Sequence, residues 1–162
     1  MELELKRGGR TARVETLGGE LVSYRDERGL EYIWGGDPAY WPGRNPLLFP
    51  IVGMLKEGKI RFDGREYAME RHGFARRREF TPAARGEDWV RLELRESAET
   101  LALYPYPFRL AVEQRLTDTG FSTAVTVANP GEGPLPFCLG AHTGFRCPLE
   151  AGERFEDYEL VF

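Results

Sequence analysis

The chain has 162 residues, of which 41% are hydrophobic and 12% aromatic, and a formal net charge of −4. That suits one globular domain with a sizeable core rather than a disordered chain. An acidic chain lacks the basic face that nucleic acid requires, and no window approaches the roughly 20 apolar residues that span a bilayer, so neither is an expected partner.

In chain order, MELELKRGGR is charged and lacks the apolar region of a secretory signal. GGELVSYRDERGLEYIW (18–34) reads as a hairpin folded at Asp26–Gly29. NPLLFPIVGML is the most apolar stretch, and its Pro46 and Pro50 bracket a strand. KIRFDGREYAME holds a second hairpin, because Asp63-Gly64 is a strong type I′ signal between alternating segments. WVRLELRE (89–96) alternates strictly, with Val90, Leu92 and Leu94 on one face. SAETLALYPYP (97–107) has room for a short helix before Pro105. FRLAVEQRL (108–116) and FSTAVTVA (121–128) form a third hairpin through TDTG, with Gly120 available for positive φ. NPGEGPLP (129–136) turns into an apolar strand, and EDYELVF (156–162) reads as a further strand with an exposed edge, a place for a second copy to pair as a homodimer. This punctuation by 19 glycines and 11 prolines predicts an all-β, antiparallel β-sandwich. No linker divides it, so residues 1–162 are expected to form a single domain, and the apolar end suggests an incomplete fold.

Cys138 and Cys147 are the only cysteines, too few for a disulfide framework, so a cytoplasmic protein with reduced thiols is expected. They lack further ligands at zinc spacing, so no metal site is expected. GxSxG, GxxxxGK[ST] and HExxH motifs are absent, as is a dinucleotide loop; no cofactor is expected.

What remains is a pair of histidines. His72 sits in RHGFAR and His142 in GAHTGF, each with glycine and an aromatic residue close by, and the chain has no others. Histidine exchanges protons near neutrality, glycine permits close approach of backbone or ligand, and an aromatic residue supplies an apolar wall. Each is equally readable as a strand-end residue bonded to backbone. Arg44, before the Pro46–Pro50 strand, is a fork-shaped donor for hydroxyl or carboxylate oxygens, or the partner in a surface ion pair. Trp34, Tyr40 and Trp41 have the shape of sugar-stacking platforms, although core packing is the simpler reading of Trp34. Arg76, Arg77 and Arg78 make a local basic spot that could meet a phosphate.

The segments GGELVSYRDERGLEYIWGGDPAYWPGRNPLLFPIVG, GKIRFDGREYAMERHGFARRREF and PFCLGAHTGFRCPL, in that order, resemble the aldose 1-epimerase (mutarotase) family, in particular its LacX-like branch. The resemblance implies a β-sandwich of the galactose mutarotase-like supersandwich type. It also implies interconversion of the α and β anomers of a hexose, or of a hexose 6-phosphate, by acid–base ring opening. By position, His142 matches the family's general acid at the ring oxygen, His72 the histidine that binds and polarises the sugar, and Arg44 a substrate-binding arginine. Thr143 stands where many relatives have proline, and Arg146 where a small polar residue is common. Family members are nearly twice as long and carry their general-base glutamate in the second half, so impaired activity, or sugar binding without catalysis, is expected of this chain. Glu70 and Glu79 are the carboxylates nearest His72 in sequence.

Overall fold

The computed structural model describes residues 1–161. Its first element pair is a hairpin beyond those expected above. Strands β1 (Glu2–Arg7) and β2 (Arg10–Glu15) pair antiparallel, and Gly8 and Gly9 turn between them at φ 54° and 83°. ELELKR and RTARVE both alternate, and their apolar positions Leu3, Leu5, Ala12 and Val14 are buried. Strand β3 (Glu20–Arg25) completes a three-stranded antiparallel sheet in the order β1-β2-β3. The turn at Asp26–Gly29 forms as expected, but its return arm is only a bridge from Arg25 to Glu31. The Glu31 carboxylate there accepts the Tyr24 and Ile33 amides at 2.9 and 3.0 Å.

Strand β4 (Leu47–Leu48) is two residues long, since Pro46 and Pro50 remove ladder donors on either side. The expected Asp63-Gly64 hairpin is present as β5 (Lys59–Phe62) and β6 (Arg65–Ala68), with both turn residues at positive φ. Strands β7 (Thr81–Arg85), β8 (Trp89–Arg95), β9 (Arg109–Leu116) and β10 (Phe121–Ala128) form a four-stranded antiparallel sheet in the order β10-β9-β8-β7. Helix α1 (Ala98–Leu103) bridges β8 and β9, capped reciprocally by Ser97 and Thr100. β11 (Gly140–Ala141) pairs with β4.

The fold is all-β, with little helix, and the two larger sheets face each other across one apolar cluster. Leu5, Ala12, Val14 and Leu21 from the first meet Val90, Leu92, Leu110, Val112 and Leu116 from the second. One end of the cluster is aromatic. The Phe49 ring lies 5.2–6.1 Å from those of Phe74, Tyr104, Phe108 and Phe137.

Three further expectations need correction. Gly120 has no positive φ, because the four-residue loop closes through the Thr117 N–H on the Gly120 carbonyl (2.8 Å) without the left-handed residue a two-residue turn requires. The apolar strand after residue 136 shrinks to β11; Pro134 and Pro136 have no N–H to give a ladder, and Phe137 and Leu139 stay 42% and 39% exposed. Residues 156–161 form no strand. Phe155–Asp157 is a 3₁₀ turn in which the Arg154 N–H donates to the Asp157 carboxylate (2.9 Å); Phe162 lies outside the described residues. The outer edges of the larger sheet are therefore β10 and β7.

Candidate functional site

His72 lies on the loop after β6, and that loop is stitched to the aromatic end of the core. The Phe49 carbonyl accepts the Phe74 and Ala75 N–H groups at 3.0 and 3.2 Å. Gly73 makes this approach possible: at φ 70°, a Cβ there would stand 2.2 Å from the Phe49 oxygen. His72 itself adopts φ 67°, uncommon for a residue with a side chain. Two bonds to one residue hold it. The His72 N–H donates to the Gly53 carbonyl (2.8 Å), and the Gly53 N–H donates to His72 Nδ1 (3.0 Å). An Nδ1 that accepts is unprotonated, so the neutral ring carries its hydrogen on Nε2. Burial, then the charges of Arg76 and Arg71, hold the His72 pKa below the ordinary histidine value.

His142 comes to the same place from 70 residues further along the chain. It follows β11 directly, so the pairing of β11 with β4 sets its position, and its N–H donates to the Pro46 carbonyl (3.2 Å). Its ring lies 6.4 Å from that of His72, at 66°, and 5.1 Å from that of Trp41. Gly144 makes room for this wall, since a Cβ there would be 2.8 Å from the Trp41 ring. The outer face of His142 is exposed. The structure thus brings the two histidines together, with Trp41 as a platform beside His142.

Arg44 joins this cluster through its backbone. Its carbonyl accepts the Gly144 N–H (2.7 Å), two residues past His142. Its guanidinium passes Gly36 and comes no nearer than 4.0 Å to Glu15, and it makes no hydrogen bond among the described residues. Trp34 is structural, donating from Nε1 to the Trp41 carbonyl (2.8 Å), whereas Tyr40 is 83% exposed.

The basic spot resolves into unlike members. Arg77 and Arg78 pair with Glu70 and Glu99. Arg76 donates from Nη2 to the Arg71 carbonyl (2.9 Å), and its buried Nε has no partner among the described residues. Burial and the neighbouring Arg77 disfavour its charge. The two carboxylates near His72 in sequence are engaged elsewhere. Glu70 holds Arg77, while Glu79 accepts the Thr16 hydroxyl and lies 3.6 Å from the N-terminal ammonium. The site therefore offers a fixed Nε2–H donor, an exposed second imidazole and an aromatic wall, with the Arg44 backbone bonded to the His142 segment. That set can hold hydroxyl oxygens and move a proton between them. Gly53, which bonds twice to His72, and Glu20, whose carboxylate accepts the Arg44 and Asn45 N–H groups at 2.9 and 2.6 Å, carry no motif that singles them out in sequence.

Residues 1–162 match the family model described as aldose 1-epimerase. Two forms of protein LacX from Lactococcus lactis subsp. lactis, plasmid and chromosomal, are each 40% identical to the chain over 168 residues, covering 100% of it and 56% of the relative. A galactose mutarotase related enzyme from Lactobacillus acidophilus superposes with a TM-score of 0.93 at 28% identity, over 97% of this chain and 53% of that one. A galactose mutarotase-like protein from Lactobacillus casei ATCC 334 gives 0.88 at 33% identity, over 93% and 52%. The chain spans about half the length of the relatives it matches.

Proposed function

Because the chain belongs to the aldose 1-epimerase family, we propose that its two histidines handle a hexose and serve the interconversion of its α and β anomers. The observation that carries this reading is the convergence of His72 and His142, with ring centroids 6.4 Å apart beside Trp41. In the proposed step a base removes the proton of the anomeric hydroxyl. The O1 electron pair forms the aldehyde C=O, the C1–O5 bond breaks, and its electrons go to O5, which takes a proton from His142. His72 donates Nε2–H to the sugar oxygens, and Arg44 binds a hydroxyl. Rotation about the C1–C2 bond followed by reclosure gives the other anomer.

The base is the weak point of this chain as a catalyst. Glu70 and Glu79 are engaged with other groups, and a general base is worth about 10²–10⁴ in rate, so weak turnover is expected. The competing reading, a sugar-binding domain without catalysis, rests on the same fact. A hexose 6-phosphate is the alternative substrate, for which the basic spot Arg76–Arg78 after His72 would be the phosphate contact; its binding should weaken with salt where that of a neutral hexose does not. We read residues 1–162 as one domain, place it in the cytoplasm with Cys138 and Cys147 reduced, and take the exposed edges of the larger sheet, β10 and β7, as the strands through which a second copy would pair. Chromatographic sizing checks the pairing; a monomer at high concentration removes it.

The test of the reaction is polarimetry of freshly dissolved α-D-glucose and α-D-galactose with the chain and with His142→Ala. Acceleration over buffer that disappears in the variant supports the epimerase. Sugar binding without any acceleration supports the binding domain. Equal acceleration by both proteins removes His142 from the mechanism.

A further inference from the structure

We propose that Glu20 is a positioning residue whose carboxylate fixes the Arg44–Asn45 backbone and, through it, sets His142 beside His72. The proposal rests on the sugar-handling reading only for its consequence in binding. One oxygen, Oε1, accepts the N–H groups of both Arg44 (2.9 Å) and Asn45 (2.6 Å). This segment lies between Trp41 and β4 without regular secondary structure, so no ladder holds these amides. A charged acceptor shared by two adjacent donors is among the stronger hydrogen-bonding arrangements available to a half-buried loop.

From there the contacts run straight to His142. The Asn45 side-chain oxygen accepts the Thr143 hydroxyl (2.7 Å), the Arg44 carbonyl accepts the Gly144 N–H (2.7 Å), and the Pro46 carbonyl accepts the His142 N–H (3.2 Å). Three consecutive residues beginning at His142 thus rest on three consecutive residues beginning at Arg44, two of which Glu20 holds. Glu20 has a rigid base. The preceding Gly19 carbonyl takes the buried Gln114 amide (2.9 Å), and Gln114 is fixed by Thr123 (2.6 Å). The same corner abuts the far side of the His72 loop. Gly18 donates to the Arg78 carbonyl (2.8 Å), and a Cβ on Gly18 would stand 3.1 Å from the Arg76 oxygen. Residues 18–20 therefore touch the His72 loop through Gly18 and reach the His142 arm through Glu20 and the Arg44–Asn45 backbone.

The test uses the full 162-residue chain labelled with ¹⁵N, as wild type, Glu20→Ala and the isosteric Glu20→Gln. Glu20→Ala is expected to speed amide hydrogen exchange at Arg44 and Asn45 about tenfold, with a smaller effect in Glu20→Gln. The His142 ring signals should move in both variants, while His72 keeps its Nε2–H form and the β8–β9 amides keep their protection. Hexose affinity should weaken severalfold. Unchanged Arg44 and Asn45 exchange, or a fixed His142 signal, would overturn the proposal; so would protection lost equally across β8 and β9, the mark of a brace for the whole fold. If Glu20→Ala fails to fold, Glu20→Gln decides by the same signals. A wild-type chain that binds no hexose, with the amide and His142 changes as expected, upholds the Glu20 role and defeats the sugar reading instead.

Discussion

Residues 1–116 and 117–161 follow different packing rules. Among the described residues, every buried one lies in the first stretch, the last being Leu116; in the second, Phe145 is 54% exposed and Phe155 74%. His72 belongs to the first, on a loop bonded to the fully buried Phe49, and His142 to the second, on a short strand pair with an open outer face. One half of the candidate site is therefore fixed by the core and the other by a few backbone bonds. Stability and sugar handling should separate along that line.

The contrast should be largest for aromatic truncations. Phe49→Ala removes the centre of the aromatic cluster and is expected to cost about 4 kcal/mol in chemical denaturation. Phe145→Ala, on the exposed side, should cost less than about 1 kcal/mol. Comparable losses would mean that residues 117–161 are packed far better than their exposure indicates. Next comes Gly73→Ala, which forces a Cβ against the Phe49 carbonyl at positive φ and should cost about 3 kcal/mol. Its His72 signal should lose the Nδ1 bond to Gly53; an intact signal would mean that the loop relaxes without moving the histidine.

The histidines sharpen the comparison further. His72→Ala leaves the Gly53 N–H without its acceptor and should cost about 1 kcal/mol. His142→Ala should stay within about 0.5 kcal/mol of wild type in the same denaturation series, while sugar handling falls. The smallest effect is in pH. The folded His72 has a lowered pKa, so as pH falls below about 6.5 the unfolded chain takes up a proton that the folded one refuses. Stability should decline modestly there, levelling once folded His72 is protonated, and His72→Ala should remove that contribution. Parallel pH profiles for the two proteins would contradict the lowered value.

The same division explains what could be read from sequence. Val90, Leu92 and Leu94 alternate because one face of β8 is buried, and Asp63-Gly64 marks its turn because the backbone there needs positive φ. β1 and β2 carried as clear an alternation in ELELKR and RTARVE, hidden only by their charge. Past Leu116 the pattern loses its cause. The alternating run 121–128 does form β10, but 137–141 and 156–161, apolar as they are, bury no residue and yield two strand residues between them. In the site, His72 and His142 stood out by their scarcity and their glycines. Gly53 and Glu20 act through backbone amides supplied by other segments, and no spacing along the chain encodes that. Arg76 differs from Arg77 and Arg78 through the placing of Glu70 and Glu99, which the local sequence does not encode.

The most direct test of the paired histidines is a titration of the ¹⁵N-labelled chain with D-galactose, followed through the imidazole signals. With only two histidines, each ring is unambiguous once His142→Ala removes one of them. If the pair forms one sugar site, both rings shift along a single saturation curve, and His72 reports Nε2–H throughout. Rings that stay still while the sugar binds, or that follow separate curves, would contradict it.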